Sequence, residues 1–364
     1  MVKPLVSVAW FGSALIILFV QLPANAQKFT IALELRGQQV EGTPLAWTDS
    51  DVALLRRDGS LLNFSPANAR GFRKTAVGFR SYSQGEIRAQ LAREFGRKFE
   101  VSGTGHYLVV HPAGLRDQWA GRFEQLYRSF VHYFTARGFR LQEPQFPLIA
   151  VVFPDQPSFL RYAQQTKERL HPNTLGYYSP TSNRILLYDT THGRSAGNAN
   201  WQINAETIIH EAAHQSAFNT SIHNRFAHPP RWVIEGLGTM FEARGVWNSR
   251  QYPSFVDRIN RSYLADFQRY VATRRTKGSL SRTVSSDRFS QLHAADAYAE
   301  AWALTFFLSE TRPTKYTQFL RKTAARSSFT TYRSPEMLRD FSDSFGADLR
   351  MLEAQFVRYM SKLK

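Results

Sequence analysis

The chain contains no cysteine. That absence excludes disulfides, zinc ribbons, iron–sulfur clusters, cysteine nucleophiles and lipid attachment through cysteine. Any metal must then be held by His, Asp or Glu. Acidic residues are also in short supply: 29 Asp plus Glu face 46 Lys plus Arg, a formal charge of +17 over 364 residues. Lysine is scarce within the basic set, with 10 Lys to 36 Arg. Arginine favours bidentate contact with carboxylates and phosphates, so an anionic partner such as a surface polymer comes into view. With 43% hydrophobic and 21% charged residues, the composition is globular and excludes a disordered chain. The length suits two or three domains with a substantial core.

Long apolar runs are missing except at the start, which reads MVKPLVSVAWFGSALIILFVQLPANAQ. Lys3 and the amino terminus form a short positive region, residues 5–20 are almost wholly apolar, and Ala24-Asn25-Ala26 ends the stretch. This layout predicts a secretory signal peptide cut after Ala26. The apolar run falls short of the roughly 20 residues a spanning helix needs. Removing residues 1–26 takes away only Lys3, so the expected mature chain, periplasmic or secreted, keeps +17 − 1 = +16.

Residues 27–75 read as short strands with turns, FTIALELRG, VEGTPLAW, DVALLRR and LLNF, with Asp58-Gly59 as a hairpin signal. The pattern resembles a small SH3-like β-barrel, usually a binding or spacer module. Residues 84–97 have a helical pattern, 105–111 a strand pattern, and 114–138 that of an amphipathic helix carrying Trp119, Phe123, Leu126, Tyr127, Phe130 and Phe134. That aromatic stripe is expected to be core. PLIAVVF at 147–153 predicts a buried strand, and 176–189 a hairpin turning at 180–183. Beyond 200 the pattern is helical, interrupted by 269–290, whose Arg274, Arg275, Lys277, Gly278 and serines predict an exposed loop.

Residues 205–219, AETIIHEAAHQSAFN, contain His210, Glu211 and His214 as H-E-x-x-H. Residues i and i+4 share a helix face, so both imidazoles can reach one cation. Glu211 sits about 100° round the helix, where it can serve as a base without being a ligand. A catalytic zinc site needs a third protein ligand. Twenty-one residues after His214 comes Glu235, in P-P-R-W-V-I-E-G-L-G-T-M-F-E, which reads as a second helix. His223 and His228 are alternative third ligands. The metzincin motif is excluded, because it needs Gly and His where Ala217 and Thr220 stand.

HEAAH followed by W-V-I-E-G-L-G resembles the gluzincin metallopeptidases of the peptidase-MA-like superfamily, whose third ligand is the Glu of a W-x-x-E-G-type segment on the next helix. More narrowly, the chain is similar to a bacterial family of exported proteins in that superfamily. The matching features are G-Y-Y-x-P-x-x-N-R-I-x-L-Y-D, H-E-A-A-H-Q, P-x-W-V-I-E-G and Y-A-E-A-W-A-L, over about residues 85–360. The resemblance implies an α+β fold. A zincin-like domain with an α/β part over 76–200 and a helical part over 201–364 would follow the barrel. It further implies Zn2+ held by His210, His214 and Glu235. That family usually has Ala where Gly238 stands, a difference expected to cost helix propensity without touching the ligands. The G-x-M-E-N segment of aminopeptidases is absent.

The expected chemistry is hydrolysis of an amide bond in a peptide or protein. Zinc lowers the pKa of a bound water and polarises the scissile carbonyl, and Glu211 acts as general base. A donor for the developing oxyanion is also required. In gluzincins this is often a Tyr or His downstream, which makes Tyr298 the candidate and His293 the runner-up. Glu242, seven residues after Glu235, is placed to orient a ligand imidazole, with a surface ion pair as the competing role. The resemblance implies that the strand at 184–189 is a sheet edge that pairs with extended substrate backbone, with Gly176 and Tyr177 of its hairpin as substrate-binding candidates. Two other readings remain: a zincin-fold binding protein without turnover, and a basic surface protein that binds anionic polymers. Export argues against nucleic acid as a partner.

Overall fold

A computed structural model describes residues 29–114, 119–168, 170–191, 198–286 and 292–364, with only the backbone course for 198–203. The segment read as an export signal, with its cut after Ala26, lies outside the described residues. Alternating apolar residues build the first sheet: β1 (Phe29–Leu35), β2 (Gln38–Trp47), β3 (Val52–Arg56), β4 (Leu61–Phe64) and β5 (Ala69–Val77). All neighbours are antiparallel in the order β4-β3-β2-β1-β5, and Asp58-Gly59 lies in the turn between β3 and β4. Ile31, Leu33, Val40, Val52, Leu54 and Phe64 form its core. The fifth strand returns to pair with the first and runs to Val77, two residues past the expected boundary. Among the described residues no ladder joins the outer strands β4 and β5.

The second sheet is mixed. Helix α1 (Gln84–Phe95), closed by a Ser83–Glu86 capping box, precedes β6 (Phe99–Gly103), β7 (Tyr107–Pro112), α2 (Ala120–Thr135), β8 (Leu148–Phe153), α3 (Gln156–Gln165), β9 (Gly176–Ser179) and β10 (Arg184–Tyr188). The strand order is β6-β7-β8-β10-β9, with parallel pairs at β7–β8 and β8–β10. Because side chains alternate across a strand, the apolar run of β8 serves two layers. Leu148, Ala150 and Val152 join the α2 side, while Ile149, Val151 and Phe153 join Ile87, Leu91 and Phe159 of α1 and α3.

The rest is helical: α4 (Asn198–Asn219), α5 (Arg231–Phe241), α6 (Arg244–Trp247), α7 (Arg261–Thr273), α8 (Ser279–Ser285), α9 (Ala294–Thr311), α10 (Pro313–Ala324), α11 (Ser334–Phe345) and α12 (Leu349–Ser361). The architecture is thus α+β, with two β-sheets. Helix α9 is buried on nearly all sides and packs against α5, α7, α10 and α12, which makes it the centre of the helical part.

One expectation is corrected. The 269–290 stretch is not a continuous exposed loop: α7 runs to Thr273 and α8 spans Ser279–Ser285, with 287–290 outside the described residues. Arg274 and Arg275 are held by distant carboxylates. Arg274 pairs with Asp296 at 2.7 Å, and Arg275 with Glu300 at 2.9 Å and Glu353 at 2.8 Å. Glu353 also accepts the N–H groups of Gly278 and Leu280 at the start of α8. Local composition cannot register partners 22 to 78 residues away along the chain.

Candidate metal centre

Helix α4 carries His210 and His214 one turn apart, and α5 packs across it with Glu235. His210 Nε2 lies 2.9 Å from His214 Nε2, and Glu235 Oε2 lies 3.4 and 3.6 Å from these two nitrogens. Donors about 2.0–2.1 Å from a tetrahedral ion stand roughly 3.3 Å apart, so the spacing fits a zinc-type ligand set. Among the described residues this is the single group of three or more His, Asp or Glu side chains able to share one ion.

Charge makes the same point. Glu211 is 0% and Glu235 2% exposed, and the side chain of Glu242 is 8% exposed. The one guanidinium or ammonium paired with any of them, among the described residues, is Arg231, 3.4 Å from Glu235 Oε1. Three carboxylates outnumber the Arg231 guanidinium and the proton that Glu235 and Glu242 draw onto His210, so negative charge is in excess in this buried cluster. Such charge is costly without compensation, and a divalent ion supplies it. Burial works to raise the Glu235 pKa, yet the hydrogen bonds of His210 and His214 and the Arg231 charge hold it far below the carboxylate range. Burial opposes charge on His210, but Glu235 and Glu242 outweigh it and hold this imidazole well above its usual value.

Each first contact is itself held. Glu242 Oε1 lies 2.9 Å from His210 Nδ1 and fixes that ring, while Glu242 Oε2 accepts from Asn260 Nδ2 at 3.1 Å. Gly238 also touches the ligands, contrary to expectation. A Cβ built there would stand 2.8 Å from His214 Cε1 and 2.9 Å from His210 Cε1, so the rings would have to yield.

Glu211 faces the strand side. Its Oε2 accepts the Tyr178 N–H at 2.7 Å, while Oε1 is buried with no hydrogen-bond partner. Burial raises its pKa, and the same Tyr178 N–H works against that rise. A carboxylate with one oxygen anchored and the other open can accept a proton.

Other expected residues separate here. Tyr298 projects from α9, its ring 6.4 Å from the His210 ring. His293, the runner-up, is the exposed N-cap of α9. His223 and His228 flank Phe218 instead of joining the ligand cluster, and burial drives their pKa values down to about 3 and about 4. Gly176 lies where β9 meets α4: a Cβ would stand 2.8 Å from Thr207 Cγ2. Tyr177 points to the opposite layer, against Phe159, which removes its side chain from the site. Its neighbour Tyr178 turns its ring to the α4 side, against Phe218, and reaches Glu211 through its main-chain N–H.

Arg231, Asn260, the Tyr178 N–H and Tyr263 escaped the sequence reading. Tyr263, half-buried on α7, has a phenol pKa raised well above normal, first by burial and then by Glu242, Tyr298 and Glu235. Arg231 had a legible signal, since it sits one helical turn before Glu235. The others had none.

Residues 204–330 match a family described as a protein of unknown function (DUF1570), a segment that holds the whole ligand cluster and Tyr298. No curated protein matches the sequence. Among solved structures, the chain is similar to a mutant M1 zinc metallopeptidase from Deinococcus radiodurans at 15% identity and TM-score 0.41, covering 72% of this chain and 49% of that one. A complex of such a mutant with a Tyr-Ser-Ala substrate, also from Deinococcus radiodurans, is similar at 16% identity and TM-score 0.40, covering 70% and 47%. The chain thus spans about half the length of these enzymes.

Proposed function

We propose that this chain is an exported zinc-dependent hydrolase of zincin-like fold that cleaves amide bonds in peptides or proteins. The observation that carries the reading is the convergence of His210 Nε2, His214 Nε2 and Glu235 Oε2, with the open Glu211 Oε1 on the adjoining turn of α4. Zinc held by these three residues supplies a Lewis acid and a water of lowered pKa. Glu211 takes the proton of the attacking water through Oε1 and returns it to the leaving nitrogen, with Oε2 kept on the Tyr178 N–H. Tyr298 offers its hydroxyl to the developing oxyanion. Strand β10, in the 184–189 stretch expected as the edge beside substrate, instead pairs with β8 on one side and β9 on the other, so β9, which carries both Gly176 and Tyr177, is the end strand that would face substrate in this reading.

The arginine excess gives less support to a polyanion-binding role, since several arginines are engaged internally. Arg184 pairs with Glu94 at 2.7 Å and Arg258 with Glu310 at 2.9 Å, besides Arg274 and Arg275. Among the described residues no helix is long and apolar enough to cross a membrane. We assign cleavage after Ala26 and a periplasmic or secreted location on the leader's layout.

Metal analysis of the purified mature protein, paired with cleavage profiling on a mixed peptide library, tests the proposal. One zinc per chain and peptide cleavage are expected. Glu211→Gln should retain zinc and lose turnover. Zinc without any cleavage would instead favour the binding-protein reading, and a fully active Glu211→Gln variant would remove Glu211 as the base.

A further inference from the structure

The seam between the amino-terminal sheet and the metal-site unit is closed by a buried cation. Arg225 is 8% exposed, and among the described residues no carboxylate forms an ion pair with it. Its guanidinium donates to main-chain carbonyls instead: Pro180 and Thr181 in the β9–β10 turn, and Gly59 in the β3–β4 turn. Leu61, at the start of β4, adds an N–H to Thr181 O at 2.7 Å. Burial lowers the Arg225 pKa, and the Asp58 carboxylate, which makes no direct ion pair with it, only partly offsets that cost. A guanidinium nevertheless suits this place, because its rigid fork of donors reaches two turns at once.

The turn that Arg225 grips leads directly to the metal centre. Pro180 follows Ser179, the last residue of β9, and Tyr178 within β9 donates its N–H to Glu211 Oε2 at 2.7 Å. The same hairpin is tied from the other side: Tyr178 OH donates to Asn183 Oδ1 at 2.8 Å, and Asn183 Nδ2 donates to Asn219 at the end of α4 at 2.9 Å.

We propose that Arg225 is a positioning residue for the metal centre. It fixes the β9–β10 turn against the amino-terminal sheet and so keeps the Tyr178 N–H on the Glu211 carboxylate. The amino-terminal sheet is then a wall that supports the site, not a module merely tethered to it. Only the kinetic arm of the following test rests on the hydrolase reading.

The test uses the full mature chain with zinc, as wild type, Arg225→Gln and Arg225→Lys, followed by hydrogen–deuterium exchange. In Arg225→Gln, segments 176–183 and 59–64 should exchange on the order of tenfold faster, while strand 148–153 stays as in wild type. Zinc content should be unchanged, and Arg225→Lys should restore part of the protection. In kinetics, kcat should fall on the order of tenfold with KM within about twofold, the pattern of a displaced catalytic group. Leu61→Pro removes the N–H given to Thr181 at the first residue of β4 while leaving Arg225 in place, and serves if Arg225→Gln does not fold; it should loosen 176–183 less strongly. Wild-type exchange at 176–183 in either variant would overturn the proposal. So would equal acceleration of 148–153, which would mark a general loss of stability. Faster exchange at 176–183 in Arg225→Gln, with a wild-type protein that cleaves nothing, would uphold the positioning while removing the hydrolase reading.

Discussion

Glu242 offers a direct test of how the metal centre is built. Its carboxylate meets two donors, His210 Nδ1 at 2.9 Å and Asn260 Nδ2 at 3.1 Å, with its side chain 8% exposed. Glu242→Gln keeps the shape but replaces two acceptor oxygens by one, so it can satisfy one donor as the carboxylate did. A hydrogen bond to a charged group contributes roughly 1.5–3 kcal/mol. Loss of the carboxylate beneath a metal-bound histidine typically costs 10–100-fold in affinity, about 1.4–2.8 kcal/mol, so the two scales agree. Glu242→Gln should therefore weaken zinc about tenfold. Glu242→Ala, which removes both contacts and frees the His210 ring to turn, should approach about 100-fold. The assay is competition of the zinc-free protein against a chromophoric chelator of known affinity, with circular dichroism to show that each variant is folded. At a fixed free zinc concentration well above Kd, a tenfold loss also removes about 1.4 kcal/mol of zinc-dependent stabilisation, which a urea titration reads independently. If both variants bind zinc within about twofold of wild type, Glu242 does not orient the ligand and the reasoning fails.

Tyr298→Phe should keep its zinc and lower kcat on the order of 100-fold, the usual effect of removing an oxyanion donor; unchanged kcat would take Tyr298 out of the mechanism. A pH effect is expected at the buried histidines. Burial depresses His223 to about 3 and His228 to about 4. Their folded pKa values lie below the unfolded value of about 6.5, so the unfolded chain takes up these protons first as pH falls. Their contribution is fully present above about pH 6.5 and is lost toward the folded values, at up to roughly 1.4 kcal/mol per pH unit for each group. His223→Gln should flatten the pH dependence of the urea unfolding free energy between about pH 6.5 and 4.5 by up to one proton, and an unchanged slope would contradict the assignment.

The ligand set was legible because each part has a residue type and a spacing: two histidines one turn apart, then a glutamate on a second helix stiffened by Pro229-Pro230. The sheets were legible for a similar reason, since β8 and β10 carry unbroken apolar runs and Asp58-Gly59 marks its own turn. What remained hidden belongs to the main chain or to long-range pairing. The Tyr178 N–H that anchors Glu211 exists in every residue but proline, so no side-chain pattern announces it. Attention fell on Tyr177 because strand patterns reveal alternation but not which parity faces the active helix. Gly238 looked like a helix defect in one dimension, whereas its place against two imidazoles exists only once α4 and α5 are packed. Arg274 and Arg275 looked like loop residues until α9 and α12 supplied their carboxylates.

Metal binding and turnover rest on different atoms, and this separates the hydrolase from a binding protein of the same fold. The three converging donors can hold an ion, and they would do so equally in a protein that never cleaves a bond. Glu211 is not needed for that purpose. It contributes no donor to the ligand set, and it adds one more buried charge that a purely structural site would be more stable without. Its Oε2 is held by the Tyr178 N–H, yet its Oε1 is buried without a partner, an arrangement that normally costs about 1–3 kcal/mol. A carboxylate kept in that state beside a metal centre has an evident use as a proton acceptor. Proposed turnover and metal binding thus part at a single oxygen, and replacing Glu211 by Gln changes the charge behind that oxygen while leaving the three proposed ligands in place.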